Sequence, residues 1–479
     1  MPMKKRLQLT CMVLFAFLPA SCMTSQAGRE GQTTHQPYKR SVRANSVPVI
    51  RQPGTTSNGQ TSAPHAEGPL DLSRCIKLAL DNNPAIARQE WDVEAARSER
   101  DIAGGALWPK VHVNGGYMHY RDDRMIPPRR PGTSEVLEFS DNLLTYNIVL
   151  DMPLYTGGHL RNEVKARELV ARAMRKDLAY SRKELVFNVS SVFYSILSQE
   201  KVIDSLEYSR KALEEHCDDT RDKMQMQKAA RVDLLRTEVR LADIEEQLLR
   251  ERNILDIKRF TLARLLGWEG KDDSISIHGQ LELDRKTDDI REVDSAFQSA
   301  LTQREDYQAL LLKIDAQQKA VASEKGVRMP RVSLNASYGD QWDEDDSDIH
   351  NEIGNVGVLV DIPLFEGGQI SARIHRERHR LNAVRKALED LRLKIRVEVK
   401  TAIANIQSTE ARIGVAQKAI EQAKESLRIE REKYRLGKGA IVDVLDAQAA
   451  LLDSQMNYYK ALAEHKTARA EYRLAIGQK

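Results

Sequence analysis

Apolar positions along the chain follow two periods in alternation. Ile76, Leu78, Ala79 and Leu80 predict a short helix that Asn82-Asn83-Pro84 should end, because proline supplies no backbone donor. A second helical stretch is predicted from Ala85 to about Gly104. The period then drops to two. Val111, Val113, Gly115 and Tyr117 alternate with His112, Asn114, Gly116 and Met118, which predicts a strand with unlike faces over Lys110 to Tyr120. A Pro/Arg-rich loop (Pro127, Pro128, Arg129, Arg130, Pro131) separates it from a returning strand over Leu144 to Leu154. The helical period then resumes and persists. Leu178, Leu185, Val189, Val192, Ile196, Ile203, Leu206 and Leu213 keep the three-and-four spacing of a coiled-coil seam. No Pro or Gly occurs from His159 to Ala230, and a returning helix is predicted from about Val232 to Leu266.

The pattern then repeats. A second hairpin is predicted over Arg331 to Tyr338 and Glu352 to Phe365. Leu381, Val384, Leu388, Leu391 and Ile395 open a second long seam, broken between Gln369 and Arg435 by Gly414 alone, and Ile441 to Ile476 returns. A helix of that length would be on the order of 100 Å long. Specific words repeat as well. Leu150-Asp151-Met152-Pro153-Leu154-Tyr155-Thr156-Gly157-Gly158 returns as Val360-Asp361-Ile362-Pro363-Leu364-Phe365-Glu366-Gly367-Gly368. Lys228 to Leu234 returns as Lys438 to Val444 at the same spacing, while Trp108-Pro109-Lys110-Val111 and Met329-Pro330-Arg331-Val332 stand further apart. The first copy therefore carries an insertion between its strands. Duplication of this kind is a signature of architecture. The expected halves are residues 68–283 and 284–479. Gly437 and Gly439 suit the second helical turn, but Gln227 and Ala229 hold those places in the first, which is expected to be shaped differently.

Composition agrees with this outline. Aromatic residues make up 5% and charged residues 30% of the 479, which suits long helices with thin seams better than one large core. A net charge of +3 gives no reason to expect nucleic acid. Lys4, Lys5 and Arg6 precede an apolar run from Leu7 to Leu18 and then Pro19-Ala20-Ser21-Cys22, the layout of an export signal over residues 1–22. That run is too short to span a bilayer, which takes about 20 apolar residues. Cys22 is a candidate for lipidation, with ordinary cleavage nearby as the alternative. Residues 23–67, rich in Ser, Thr, Gln, Pro, Gly and Arg, read as a flexible tether. Cys75 and Cys217 are expected to be buried free thiols rather than a disulfide.

Four strands cannot close a transmembrane barrel, and an open edge in lipid leaves backbone groups unpaired at several kcal/mol each. If the hairpins enter a membrane, other copies of the chain must complete the wall. Eight strands make a barrel filled largely by its own side chains. A conduit therefore favours three copies or more.

The two Asp-hydrophobic-Pro-Leu-aromatic-x-Gly-Gly motifs at 151–158 and 361–368 carry a family resemblance. The Pro-Lys/Arg-Val strand starts and the run from Tyr434-Arg435-Leu436-Gly437 through Ile441 to Ala447 add to it. In their order and spacing they make the chain, from about residue 70 onward, similar to the outer-membrane efflux protein family. The resemblance implies a mainly α fold with a small β part. A homotrimer would share a 12-stranded transmembrane β-barrel, four strands per chain, above a long coiled-coil α-barrel. It implies a passive outer-membrane channel of a Gram-negative bacterium, most of it in the periplasm, in contact with outer-membrane lipid and gated at the periplasmic tip. The implied partners are a periplasmic adaptor and an inner-membrane pump or ATP-driven exporter, with no enzyme activity and no cofactor.

Residue by residue, the resemblance places Asp443 and Asp446 in an acidic ring at the gate; they lie three apart and share a helix face. The alternative for Asp443 is a helix-capping role. It places Tyr434 and Asp233 in a lock between the two hairpins. Gly439 stands where an Arg often assists, which leaves Lys438 or Arg231 as substitutes. Leu436 and Gly437 in the second turn, and Met226 and Gln227 in the first, would dock the adaptor, although Met226-Gln227 departs from the family pattern. The acidic loop residues Asp340, Asp343, Glu344, Asp345, Asp346 and Asp348 read as solvated, or as a divalent-cation site. His375 and His379 have a spacing that can hold zinc but lack the metalloprotease order, so a solvated face is expected. Trp108, just before a strand, suits a membrane interface. The rival reading is a coiled-coil structural or adaptor protein that never enters the membrane.

Overall fold

The computed structural model describes residues 69–121, 124–126, 137–139, 142–227, 229–268, 275–283, 291–343 and 350–478. The expected leader, Cys22, the tether, Pro127 to Pro131 and Glu344 to Asp348 lie outside them.

Helices α1 (Leu72–Asn82) and α2 (Pro84–Gly105) lead into strand β1 (Lys110–His119). The insertion after it holds a small ribbon of β2 (Arg124–Ile126) and β3 (Leu137–Phe139), which the sequence pattern did not suggest. Strand β4 (Asn142–Tyr155) returns, followed by α3 (His159–Gln225) and α4 (Arg231–Leu266). The second half repeats the order as α5 (Val293–Gln303), α6 (Glu305–Gly326), β5 (Arg331–Asp343), β6 (His350–Asp361), α7 (Gln369–Arg435) and α8 (Ile441–Ala475). Among the described residues no helix is long and apolar enough to cross a membrane.

Local chemistry sets the joints. Asp71 caps α1 by accepting from the Arg74 N–H at 2.8 Å. Asn83 caps α2, its Oδ1 accepting from the Ala85 N–H at 2.9 Å and the Ile86 N–H at 3.3 Å, with Pro84 at the first helical position. Its Nδ2 donates to Leu265 O at 2.9 Å and so pins the end of α4. Arg304 occupies the matching joint between α5 and α6 and donates to Ala475 O at 3.3 Å, pinning the end of α8.

Toward the helical turns, the long helices lie in the order α4-α3-α8-α7; toward the sheet, the order is α2-α3-α6-α7. The larger core follows the expected seam of α3, including Leu185, Val189, Ile196, Leu206 and Leu213, against Ile244 and Leu262 of α4 and Val444 of α8. A second core joins Ile395, Val399 and Ile406 of α7 to Phe297 and Tyr472. The four main strands form one antiparallel sheet in the order β1-β4-β5-β6. β6 ends at Asp361, short of the expected Phe365, whereas β4 runs on through Pro153 to Tyr155 because β5 pairs with it across a bulge. Past Asp361 no described strand of the chain pairs with the segment that follows, so the ladder stops there.

The first helical turn differs from expectation. Gln227 adopts φ 60°, the left-handed value that Gly437 takes at φ 68° in the second turn. The Met226 N–H donates to Asp222 O as the Leu436 N–H donates to Glu432 O, so both long helices end in the same backbone geometry. The hairpin geometry prevails over the local preference of Gln227, at a cost of about 1–2 kcal/mol.

Candidate functional site

Two ends of the molecule carry features that the packed core does not require. At one end is the sheet. Residues paired across antiparallel strands share a face. Val111 and Val113 stand opposite Leu150 and Ile148, which in turn stand opposite Ala336 and Tyr338. Leu334 and Val332 stand opposite Val358 and Val360. This face is apolar and exposed over Val111, Val113, Ile148, Tyr338, Val356 and Val358. The opposite face is mostly small or polar, with Asn114, Thr145, Asn147, Ser333, Asn335, Ser337 and Asn355. The strands are 10 to 14 residues long, enough for a tilted crossing of a bilayer core. The Tyr146 and Trp342 rings stack at 4.9 Å at one end of the apolar band, the kind of pair that settles at a lipid–water boundary. Trp108, before β1, is 72% exposed.

At the other end are the two helical turns. Met226 is 65% and Leu436 57% exposed, and Gln227 and Gly437 stand beside them in matching left-handed conformations. Asp443 and Asp446 are both exposed on the first turns of α8, while Val444 and Leu445 between them are buried. The Asp443 carboxylate also accepts from the Ala440 N–H at 3.4 Å, so capping and display on an open face coexist in one side chain. Asp233 holds the same position on α4 and is half-buried.

Tyr434 is half-buried against the larger core, and within the chain its ring meets a cation rather than Asp233. Lys223 Nζ lies 4.9 Å from the ring centroid and 2.6 Å from Asp219 Oδ2. The cations named from sequence, Lys438 and Arg231, are not the ones that meet the ring here. Lys223 was missed, yet a signal existed: the duplication pairs Lys223-Met224 with Lys433-Tyr434, which puts a lysine at the end of each long helix.

Polar links cross the seams of the helical hairpins. Gln448 of α8 donates to Ser209 O and Oγ of α3, both at 3.2 Å. Buried His465 of α8 lies 3.2 Å from Thr409 Oγ1 of α7. Burial holds the His465 imidazole below its ordinary range, with Arg469 adding to the effect. Burial lowers His216 on α3 as well, assisted by Arg431 of α7. Both rings are therefore held toward the neutral form.

His375 and His379 are exposed, with ring centroids 6.4 Å apart, and among the described residues no group of three or more His, Cys, Asp or Glu could hold a metal. Cys75 and Cys217 are free and buried. Burial, with Asp71 nearby, pushes the Cys75 thiol up to about 12.

Comparison with known proteins gives a consistent result. A family model described as "Outer membrane efflux protein" matches residues 75–268 and 296–478, which leaves out the linker between the halves. The alkaline protease secretion protein AprF of Pseudomonas aeruginosa is 22% identical over 417 residues, 85% of this chain and 84% of its own length. The outer membrane protein TolC of Vibrio cholerae is 20% identical over 416 residues, covering 85% and 90%. The crystal structure of the outer membrane protein VceC from Vibrio cholerae superposes with a TM-score of 0.72 at 18% identity, covering 85% of this chain and 96% of that one.

Proposed function

The chain belongs to the outer membrane efflux protein family, and from that premise we propose that it is the conduit of a tripartite export system, gated at its helical tip. Its place is the outer membrane. The observation that carries the reading is the sheet: four strands, one face apolar and exposed, with edge strands β1 and β6 each paired on one side only. A water-soluble coiled-coil protein would have no use for such a face. In lipid the face is satisfied, provided that the edges close. An even number of antiparallel strands lets β6 of one copy meet β1 of the next, and a homotrimer gives the twelve strands of an open conduit.

The helices repeat the logic. α4 exposes Val239, Leu249 and Phe260, and α7 exposes Leu393, Val397 and Val415; these are the two flanking helices of the tip-side row. Apolar residues on both flanks suit a closed cylinder of copies. Each long helix has 67 residues, so the cylinder would extend on the order of 100 Å into the periplasm.

At the tip, threefold symmetry would gather Asp443 and Asp446 into a ring of carboxylates, favouring cations. Tyr434, Asp233 and Lys223 would hold neighbouring hairpins closed. Met226, Gln227, Leu436 and Gly437 would receive a periplasmic adaptor that couples the conduit to an inner-membrane pump or ATP-driven exporter. Residues 1–22 would direct export, with Cys22 as the candidate lipid anchor, and residues 23–67 would tether it.

Planar-bilayer recording tests the core of this reading. The purified protein is expected to form cation-selective pores, and the Asp443→Asn/Asp446→Asn double variant to lose that selectivity without losing the pore. Unchanged selectivity would remove the ring, and a protein that forms no pores would remove the conduit.

A further inference from the structure

Each half lays a short helix against a long one, and the two halves fill the space beside it differently. The spacing that pairs Trp108 with Met329 also pairs α1 with α5. Buried Cys75 and Ala79 then stand where buried Ala296 and Ala300 stand, and Ile76 stands where Phe297 stands. The spacing of the Gly-Gly words pairs α3 with α7, so Arg182 and Val186 stand where Arg392 and Arg396 stand. In the second half this place holds a ring. Phe297 is 5% exposed, and the guanidinium carbons of Arg392 and Arg396 lie 6.0 and 5.5 Å from its centroid. A cation over the face of a ring is attracted by the ring's quadrupole.

In the first half the same place is a cavity of about 710 Å³. Ile76 and Leu80 of α1, Val186 and Phe187 of α3 and Leu474 of α8 give it apolar walls. That size and lining are typical of small-molecule sites. Arg473 and Gln478 also line it and are exposed, so the cavity opens to solvent. Its charge is one-sided. Among the described residues, five basic side chains line it (Arg182, Lys183, Lys466, Arg469 and Arg473) against Glu305 alone. Glu305 is matched by Lys183 at 2.6 Å, and Lys183 also donates to Gly477 O at 2.8 Å, tying the end of α8 to the start of α6. Arg182 also reaches Glu90 of α2 at 2.5 Å, an exposed pair that holds it only weakly.

We propose that this cavity binds a small aromatic carboxylate, with its ring beside Ile76 between Arg182 and Val186 and its acidic group toward the basic residues of α8. The ring supplies what Phe297 supplies in the other half, and the carboxylate answers the excess of cations. The site lies within one chain, away from the sheet and the tip, and needs no second copy. An occupant bridges α1 to α8 across α3.

Calorimetry with 2-naphthoate on the full-length protein in phosphatidylcholine nanodiscs tests the site. Saturable binding is expected, with neutral 2-naphthamide about tenfold weaker, the difference made by one charge-assisted contact. Ile76→Phe puts a ring where the ligand's ring would lie and should weaken naphthoate about tenfold, with helix content and pores retained. Arg473→Gln, at an exposed position, should weaken naphthoate and leave naphthamide unchanged, and it decides if Ile76→Phe does not fold. Bound naphthoate should also slow hydrogen exchange over residues 72–80 and 466–474 and leave the sheet unaffected. Naphthamide binding as tightly as naphthoate would overturn the anionic class. Naphthoate binding unchanged in both variants would overturn the place. No saturable binding to a protein that still forms pores would overturn the site and leave the conduit intact, whereas binding to a protein without pores would remove the conduit and keep the site.

Discussion

Replacing Arg304 by Met should loosen the joint between α5 and α6 and leave the sheet intact. Arg304 is 1% exposed and bonds to four residues at once. Its guanidinium donates to Asp306 Oδ1 at 3.1 Å and Oδ2 at 2.8 Å, to Tyr180 OH at 3.1 Å and to Ala475 O at 3.3 Å, and it is paired with Glu398 of α7. One side chain thus ties α3, α6, α7 and α8 together. Methionine fills a similar volume but leaves two carboxylates without their cation. Breaking a buried pair costs about 3–5 kcal/mol. The lower end applies here, because Glu398 is one-third exposed and keeps Lys394 at 3.8 Å. A loss of about 3 kcal/mol is somewhat more than a hundredfold in the local opening equilibrium. Hydrogen exchange of the assembled protein in detergent should show that acceleration over residues 293–306 and 470–477, with β1, β4, β5 and β6 unchanged. Arg304→Lys should recover only part of the protection, since an ammonium cannot span both Asp306 oxygens. Unchanged exchange in Arg304→Met would refute the reasoning, and so would uniform acceleration across the whole chain.

Two further outcomes are expected. Gln227→Gly should relieve the left-handed strain of the first turn and stabilise it by about 0.5–1 kcal/mol after glycine's own entropy cost; slower limited proteolysis between residues 224 and 232 checks this, and faster cleavage would contradict it. The seam of α7 and α8 should weaken in acid. The folded pKa of His465 is lowered, so the unfolded chain takes up the proton first, and its contribution is complete above the ordinary imidazole value of about 6.5 and declines as pH falls below it. Exchange of amides around Thr409 and His465, corrected for intrinsic rate, should accelerate below that value in the parent and less in His465→Gln; equal acid acceleration in both would assign the effect elsewhere.

The long seams were legible because their apolar spacing is local and unbroken, and both strand hairpins because alternation and a fixed Gly-Gly word bracket them. What escaped the sequence was decided by contacts between distant segments. The ribbon of β2 and β3 has short strands with no sustained alternation. The first turn looked different because Gln227 lacks glycine's freedom, but α3 and α4 must return as α7 and α8 do, and the hairpin imposes the conformation. Lys223 meets Tyr434 only because α3 and α7 end at the same level, a fact contained in the duplication and not in either residue. The halves are alike where both face the same neighbour and diverge where they do not. Gly157 is hemmed in by Met329, and Gly367 has open space, although their backbones match. Asn83 and Arg304 hold the same joint with different chemistry. Near-identity of a local word therefore specifies the local turn, and distant segments specify what packs against it. That is why the barrel could be inferred from the number of strands, while the packing around each Gly-Gly turn required the structure.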